Sequence, residues 1–175
     1  MSIKARQIAQ QALDAAWDGK LPVDPALLAS KLLVTLNGVE SDQKKCTIVV
    51  RGVAGADLAG ASSQVSLERT NDRLQYVCIF NNDEISYRNR FAVAHEIGHI
   101  LLGHVRAGEL PLRHHEYGDT TQEMKDANAF AAALLMPERF LRQVFDSVES
   151  VQQMAEAFGV SNQAANYRIK ALRLI

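Results

Sequence analysis

The chain predicts an α+β fold, and three features carry that prediction. Helical spacing of apolar residues opens the sequence, short β-like runs between turn residues fill its middle, and helical spacing returns from residue 88 to the end. With 175 residues, 47% of them hydrophobic and 22% charged, the chain has material for a packed core and lacks the composition of a disordered segment. We divide it into a main unit over residues 1–148 and a small helical element over 149–175 packed on it. The net charge of −1 argues against coating nucleic acid or an anionic membrane through bulk charge. No apolar run reaches the roughly 20 residues that span a bilayer. The first seventeen residues are broken by Gln, Asp and Lys and lack a signal-peptide core, so no membrane partner is expected. Cys46 and Cys78 read as reduced, buried thiols of a cytoplasmic protein.

The first helix runs from Lys4 to Trp17, where Ile8, Ala9, Ala12, Leu13, Ala16 and Trp17 keep a 3.6-residue spacing up to the Asp18-Gly19 stop. Asp24 is the expected N-cap, and Pro25 the first residue, of a second helix ending near Leu33. Three runs, Cys46–Val50, Val65–Glu68 and Gln75–Asn81, then alternate with Gly52, Gly55, Gly60 and Asn71-Asp72, which predicts a small, mostly antiparallel sheet. The run ending at Phe80 is expected to be an exposed edge on which an extended substrate pairs. Arg88–Leu102 is the clearest helix, with Gly103 as its C-cap. Gly108–Thr121 reads as a loop, and Glu123–Met136 as an alanine-rich helix stopped by Pro137. Helical stretches over Arg139–Val148, Val151–Phe158 and Ser161–Leu174 complete the chain.

His95-Glu96-Ile97-Gly98-His99 has the spacing H-E-x-x-H. Residues four apart share a helix face, so two imidazoles can reach one ion. Neutral imidazole is a normal zinc ligand, and an open zinc site lowers the pKa of its bound water to about 7. Glu96 stands beside the metal, placed to take that water's proton as the water attacks a peptide carbonyl. The pattern points to Zn²⁺ held by His95 and His99, with Glu96 as general base of an endopeptidase. Phe91, Ala94, Ile97, Leu101 and Leu102 supply the apolar body that makes the segment a helix, and Gly98 leaves room for close packing.

From Arg90 to Leu102, and again over Asp126-Ala127-Asn128-Ala129-Phe130-Ala131-Ala132-Ala133-Leu134-Leu135-Met136-Pro137, the chain resembles the ImmA/IrrE family of metallo-endopeptidases. The resemblance is strongest over Phe80–Pro137. It implies a thermolysin-like minimal zincin core and a protein substrate, a helix-turn-helix repressor whose cleavage relieves repression of phage, mobile-element or stress genes. It also implies a third metal ligand, usually a Glu four residues before the Asn of the second motif. That position here is Met124, and a thioether is a poor zinc ligand. Glu123 is the expected third ligand, with Asp126 the alternative.

Three further histidines need assigning. Gly103 and His104 fall eight and nine residues after His95, missing the spacing of a longer three-histidine motif, so His104 reads as a polar residue past the helix end. His114, His115 and Tyr117 lie in the expected loop, and His115 is the candidate donor to a developing oxyanion. Such a donor is worth about 2.7–4 kcal/mol where it has been measured in a serine protease. At the C-terminus, Ala155, Gly159 and Ala165 suit a helix-turn-helix-like pair, with Arg168, Lys170 and Arg173 as possible phosphate contacts. The rival function is therefore a DNA- or protein-binding regulator with a degenerate metal site.

Overall fold

The structure, a computed structural model, describes residues 2–36, 45–71, 73–106, 108–114 and 121–175. Helix α1 (Ile3–Ala16) starts where Ser2 accepts a hydrogen bond from the Ala5 amide. Helix α2 (Pro25–Lys31) begins as expected, with Asp24 accepting from the amides of Ala26 and Leu27. Strands β1 (Leu33–Thr35) and β2 (Lys45–Val53) precede a short 3₁₀ turn at Gly55–Leu58. Strands β3 (Ser63–Thr70) and β4 (Arg73–Asn81) then form a hairpin, entered through Asn71 at a φ of 48°. Helix α3 (Ser86–Leu101) follows, then strand β5 (Leu112–His114) and helix α4 (Gln122–Leu135). Helices α5 (Glu138–Phe145), α6 (Val151–Phe158) and α7 (Asn162–Ala171) close the chain. The described residues thus make a mixed α+β fold with seven α-helices and one five-stranded sheet.

The sheet order is β1-β2-β4-β3-β5, and every pairing except the parallel β2–β4 is antiparallel. Two sequence expectations are corrected here. The strand ending at Phe80 is not an edge: β4 pairs with β2 from Gln75 to Asn81 and with β3 from Arg73 to Phe80. Its unbroken Tyr76-Val77-Cys78-Ile79-Phe80 run is the signature of a strand covered on both sides, and Tyr76, Val77 and Cys78 are all buried. The expected loop over 108–121 contains β5, whose three residues pair with Ser63–Val65 and form an edge of the sheet. Leu-Arg-His is too short and too polar a run to announce a strand.

Helix α3 lies on β3 and β4, α4 packs on α3, and α1 packs on α4, while α2 bridges β2 and α3. The close approach of α3 and α4 depends on Gly98. A Cβ there would stand 3.0 Å from Phe130 Cδ1 and 3.2 Å from the Ala127 carbonyl oxygen. The C-terminal pair α6–α7 turns through Gly159, at a φ of 62°, and buries Met154, Phe158, Ala165 and Ile169 in the same core. Arg90 of α3 ties this turn down by donating from Nε to the Gly159 carbonyl at 3.2 Å and from its guanidinium to the Val23 carbonyl.

Arg168 is only 2% exposed and donates from Nε to the Met136 carbonyl at 3.3 Å. It braces the core and is not available to phosphate, contrary to the expectation above. Lys170 and Arg173 are exposed. No described helix is long and apolar enough to cross a membrane.

The packing at Gly98 yields a stability prediction. Gly98→Ala gains about 0.8–1 kcal/mol of helix propensity against about 1–3 kcal/mol of overpacking. Gly98→Val adds a branched side chain against Phe130 and a backbone carbonyl that cannot retreat, so a net loss of about 2 kcal/mol or more is expected. Urea unfolding of the metal-free protein checks it. A Gly98→Val variant as stable as wild type would contradict the tight α3–α4 contact.

Candidate metal centre

One turn of α3 buries three groups that ordinarily prefer water: His95, Glu96 and His99 are 4%, 0% and 2% exposed. Each must find partners or cost several kcal/mol. The helix sets His95 and His99 on one face, where their Nε2 atoms stand 3.0 Å apart. Helix α4 brings Asn128 up to His95, with Oδ1 at 2.9 Å from Nδ1. An amide oxygen accepts only, so the proton of a neutral His95 sits on Nδ1 and Nε2 carries the lone pair. His104, beyond the helix end, meets His99 Nδ1 through its own Nδ1 at 3.0 Å.

Glu96, one residue on, reaches the β3–β5 edge of the sheet. Ser63 and His114 face each other across that ladder, and both reach one carboxylate oxygen. Ser63 Oγ donates to Glu96 Oε1 at 2.5 Å, and His114 Nδ1 lies 2.8 Å from the same atom. Glu96 Oε2 is buried and has no hydrogen-bond partner among the described residues. The His114 ring stacks on His99, with centroids 4.5 Å apart at 15°, and stands edge-on to His95 at 4.8 Å. Ligand atoms of His95, His99 and His114 all lie within 4.8 Å of one another, a group able to hold a metal ion.

The described residues fit such an ion on two counts. The donors are three imidazoles, a set suited to zinc and other borderline metals. The only unsatisfied carboxylate oxygen in the cluster is the one an acceptor beside a metal-bound water requires.

A family model for the IrrE N-terminal-like domain matches residues 57–170, well over half of the chain. The chain belongs to this peptidase family. No curated protein matches it. The family match begins just before β3 and runs into α7, so it takes in Ser63, the α3 turn, β5 and Asn128. Membership makes the chain a metallopeptidase by family, with a protein or peptide as substrate.

In this peptidase, burial sets the protonation states. It lowers the pKa of His95 to about 3, helped by His114 and opposed by the Asn128 hydrogen bond. Burial, with His95 next in weight, lowers that of His99 to about 2. Both rings are therefore held neutral, the form that binds a metal. Burial raises the Glu96 carboxyl, while the contacts from His114 and Ser63 oppose the rise. Burial also pushes the Cys78 thiol well up, with the Glu96 charge adding to it.

The remaining sequence candidates divide. Glu123 is exposed in the first turn of α4 and its carboxylate is not among the converging ligand atoms, although it acts electrostatically on His104. Asp126, half-buried, accepts a hydrogen bond from Gln122 and likewise acts electrostatically on His104. Met124 is half-buried. His115 and Tyr117 lie outside the described residues. His104, expected to be a bystander, contacts His99. Sequence reasoning missed Ser63, gave Asn128 no role, and left His114 among the loop histidines. Their roles come from strand register and helix contact, which no spacing in the chain encodes.

The depressed imidazoles make a pH prediction for the metal-free protein. Below about 6.5 the unfolded chain binds protons that the folded His95 and His99 refuse, so their contribution to stability falls as pH drops towards their folded values. Glu96, raised on folding, acts in the opposite direction and is present in both proteins compared below. In chelator, wild type is expected to lose stability more steeply between pH 6.5 and about 4 than the His95→Ala/His99→Ala double variant does. Parallel pH dependences in urea titrations would rule this out.

Proposed function

We propose that this chain is a zinc-dependent endopeptidase on a thermolysin-like minimal zincin core, with His95 and His99 holding the metal and Glu96 as general base. The observation that carries this reading is the asymmetry of the Glu96 carboxylate: Oε1 is tied to Ser63 and His114, while buried Oε2 has no partner among the described residues. Two contacts on one oxygen fix the plane of the carboxylate and leave the other as a preoriented proton acceptor. A zinc ion bound there would lower the pKa of its water to about 7 and polarise the scissile carbonyl. With such a metal bound, Glu96 Oε2 would accept the proton of the attacking water and pass it to the departing amine. The raised pKa of Glu96 suits both transfers, since it brings the acid nearer to working pH. Asn128 keeps the His95 lone pair on Nε2 throughout. We assign His115 as the oxyanion donor.

We further propose that the substrate is a helix-turn-helix repressor, cut in the cytoplasm to relieve repression. The resemblance to ImmA/IrrE peptidases supports this, and the buried, unbridged Cys46 and Cys78 suit a reducing compartment. Residues 149–175 would be a helix-turn-helix-like element packed on the peptidase unit of residues 1–148. Their role is docking or bracing, because the burial of Arg168 removes one of the three cations that direct DNA binding would use.

Glu96→Gln is the direct test. The amide cannot accept the proton, so the variant is expected to keep one zinc per chain and lose at least about 10²-fold in cleavage rate. The assay co-expresses the protein with helix-turn-helix repressors from its own genome and reads fragments by mass spectrometry. Equal zinc content with unchanged cleavage would sink the mechanism.

A further inference from the structure

We propose that His114, on edge strand β5, is the third protein ligand of the metal, making the set three neutral imidazoles without a carboxylate. This rests on the metallopeptidase reading and deepens it. The first support is convergence. Two nitrogens about 2.0–2.1 Å from a tetrahedral zinc stand about 3.3 Å apart. The His95–His99 pair, at 3.0 Å, already meets that separation within a few tenths of an ångström. The widest separation within the three-histidine group is 4.8 Å, so at most roughly 1.5 Å of closure is needed. The His114 ring lies stacked on His99, so binding one ion also requires that ring to turn about its χ angles until its lone pair meets those of His95 and His99.

The second support is how His114 is held. Its carbonyl accepts from the Ser62 amide at 2.9 Å, and its register partner is Ser63. The backbone ladder thus delivers the side chain to the site from the opposite side to α4. A neutral His114 that donates from Nδ1 to Glu96 Oε1 keeps its Nε2 lone pair free. A carboxylate behind the distal nitrogen is the usual companion of a metal-bound histidine, because it fixes the tautomer and raises ligand basicity.

The third support is the state of the competitors. Glu123 is exposed and outside the converging group. Asp126 is engaged by Gln122. Met124, one helical turn before Asn128, offers only a thioether. Three neutral ligands leave the full 2+ charge of the ion in the site, with Glu96 as the carboxylate beside it among the described residues. The division of labour is then clear: Ser63 and His114 position Glu96, and His114 also binds.

The test measures metal binding and needs no substrate. Metal-free wild type, His114→Ala, His114→Gln and Glu123→Ala are titrated with Zn²⁺ against a chelator of known affinity. The loaded proteins are then examined by zinc-edge X-ray absorption, whose outer-shell scattering counts imidazoles. Wild type is expected to bind one zinc through three imidazoles. Both His114 variants should fall to two imidazoles and lose at least about 100-fold in affinity, more than a displaced outer-sphere partner costs. Glu123→Ala should keep all three. Two imidazoles in wild type would overturn the proposal without recourse to any variant, and so would Glu123→Ala losing the metal while His114→Gln keeps it. Either result leaves the metallopeptidase reading standing. A wild type that binds no zinc overturns that reading itself, and this inference with it.

Discussion

A helix that buries two imidazoles and a carboxylate within one turn must find a partner for every polar atom, and that constraint organises this molecule. His95, Glu96 and His99 leave almost nothing to solvent. Each unmet group in such a place costs about 1–3 kcal/mol, and a charged one more. The surrounding elements answer in turn: α4 offers Asn128, the segment past α3 offers His104, and the β3–β5 ladder offers Ser63 and His114. What remains among the described residues is the pair of facing Nε2 atoms and Glu96 Oε2. A cation between the imidazoles, and a water beside the carboxylate, would satisfy both.

The same constraint explains why the supporting structure is so tightly drawn. Asn128 can reach His95 only because Gly98 lets α4 come within contact of α3. The alanine-rich face of α4, with Ala127, Ala131 and Ala132 buried, keeps the helices close along their length. Arg90 reaches from α3 to the α6–α7 turn, and Arg168 from α7 to the end of α4, so the C-terminal pair is locked to the helices that carry the site. Movement of that pair would be felt at α3.

Much of this was legible in the chain. Helix positions followed from spacing and caps, as at Asp24-Pro25 and Ser161, and the three longer strands from β-branched and aromatic runs. His95, Glu96 and His99 came from local periodicity, because four residues is about one helical turn. What stayed hidden depends on distance in sequence. Ser63 lies 33 residues before Glu96, and His114 reaches the site only through a three-residue strand with no hydrophobic pattern. Glu123 was singled out for its chemistry, and it stands exposed in the first turn of α4, where the helix dipole favours a carboxylate. The edge assigned to the strand ending at Phe80 misread an unbroken apolar run, which marks an interior strand.

The most direct test of this account is diffraction from zinc-soaked crystals, with an anomalous-difference map collected at the zinc edge. One strong peak per chain is expected, about 2.0–2.1 Å from Nε2 of both His95 and His99, with Glu96 Oε2 near the metal but not bound to it. A peak elsewhere, or none at a zinc concentration well above that needed for binding in solution, would contradict it.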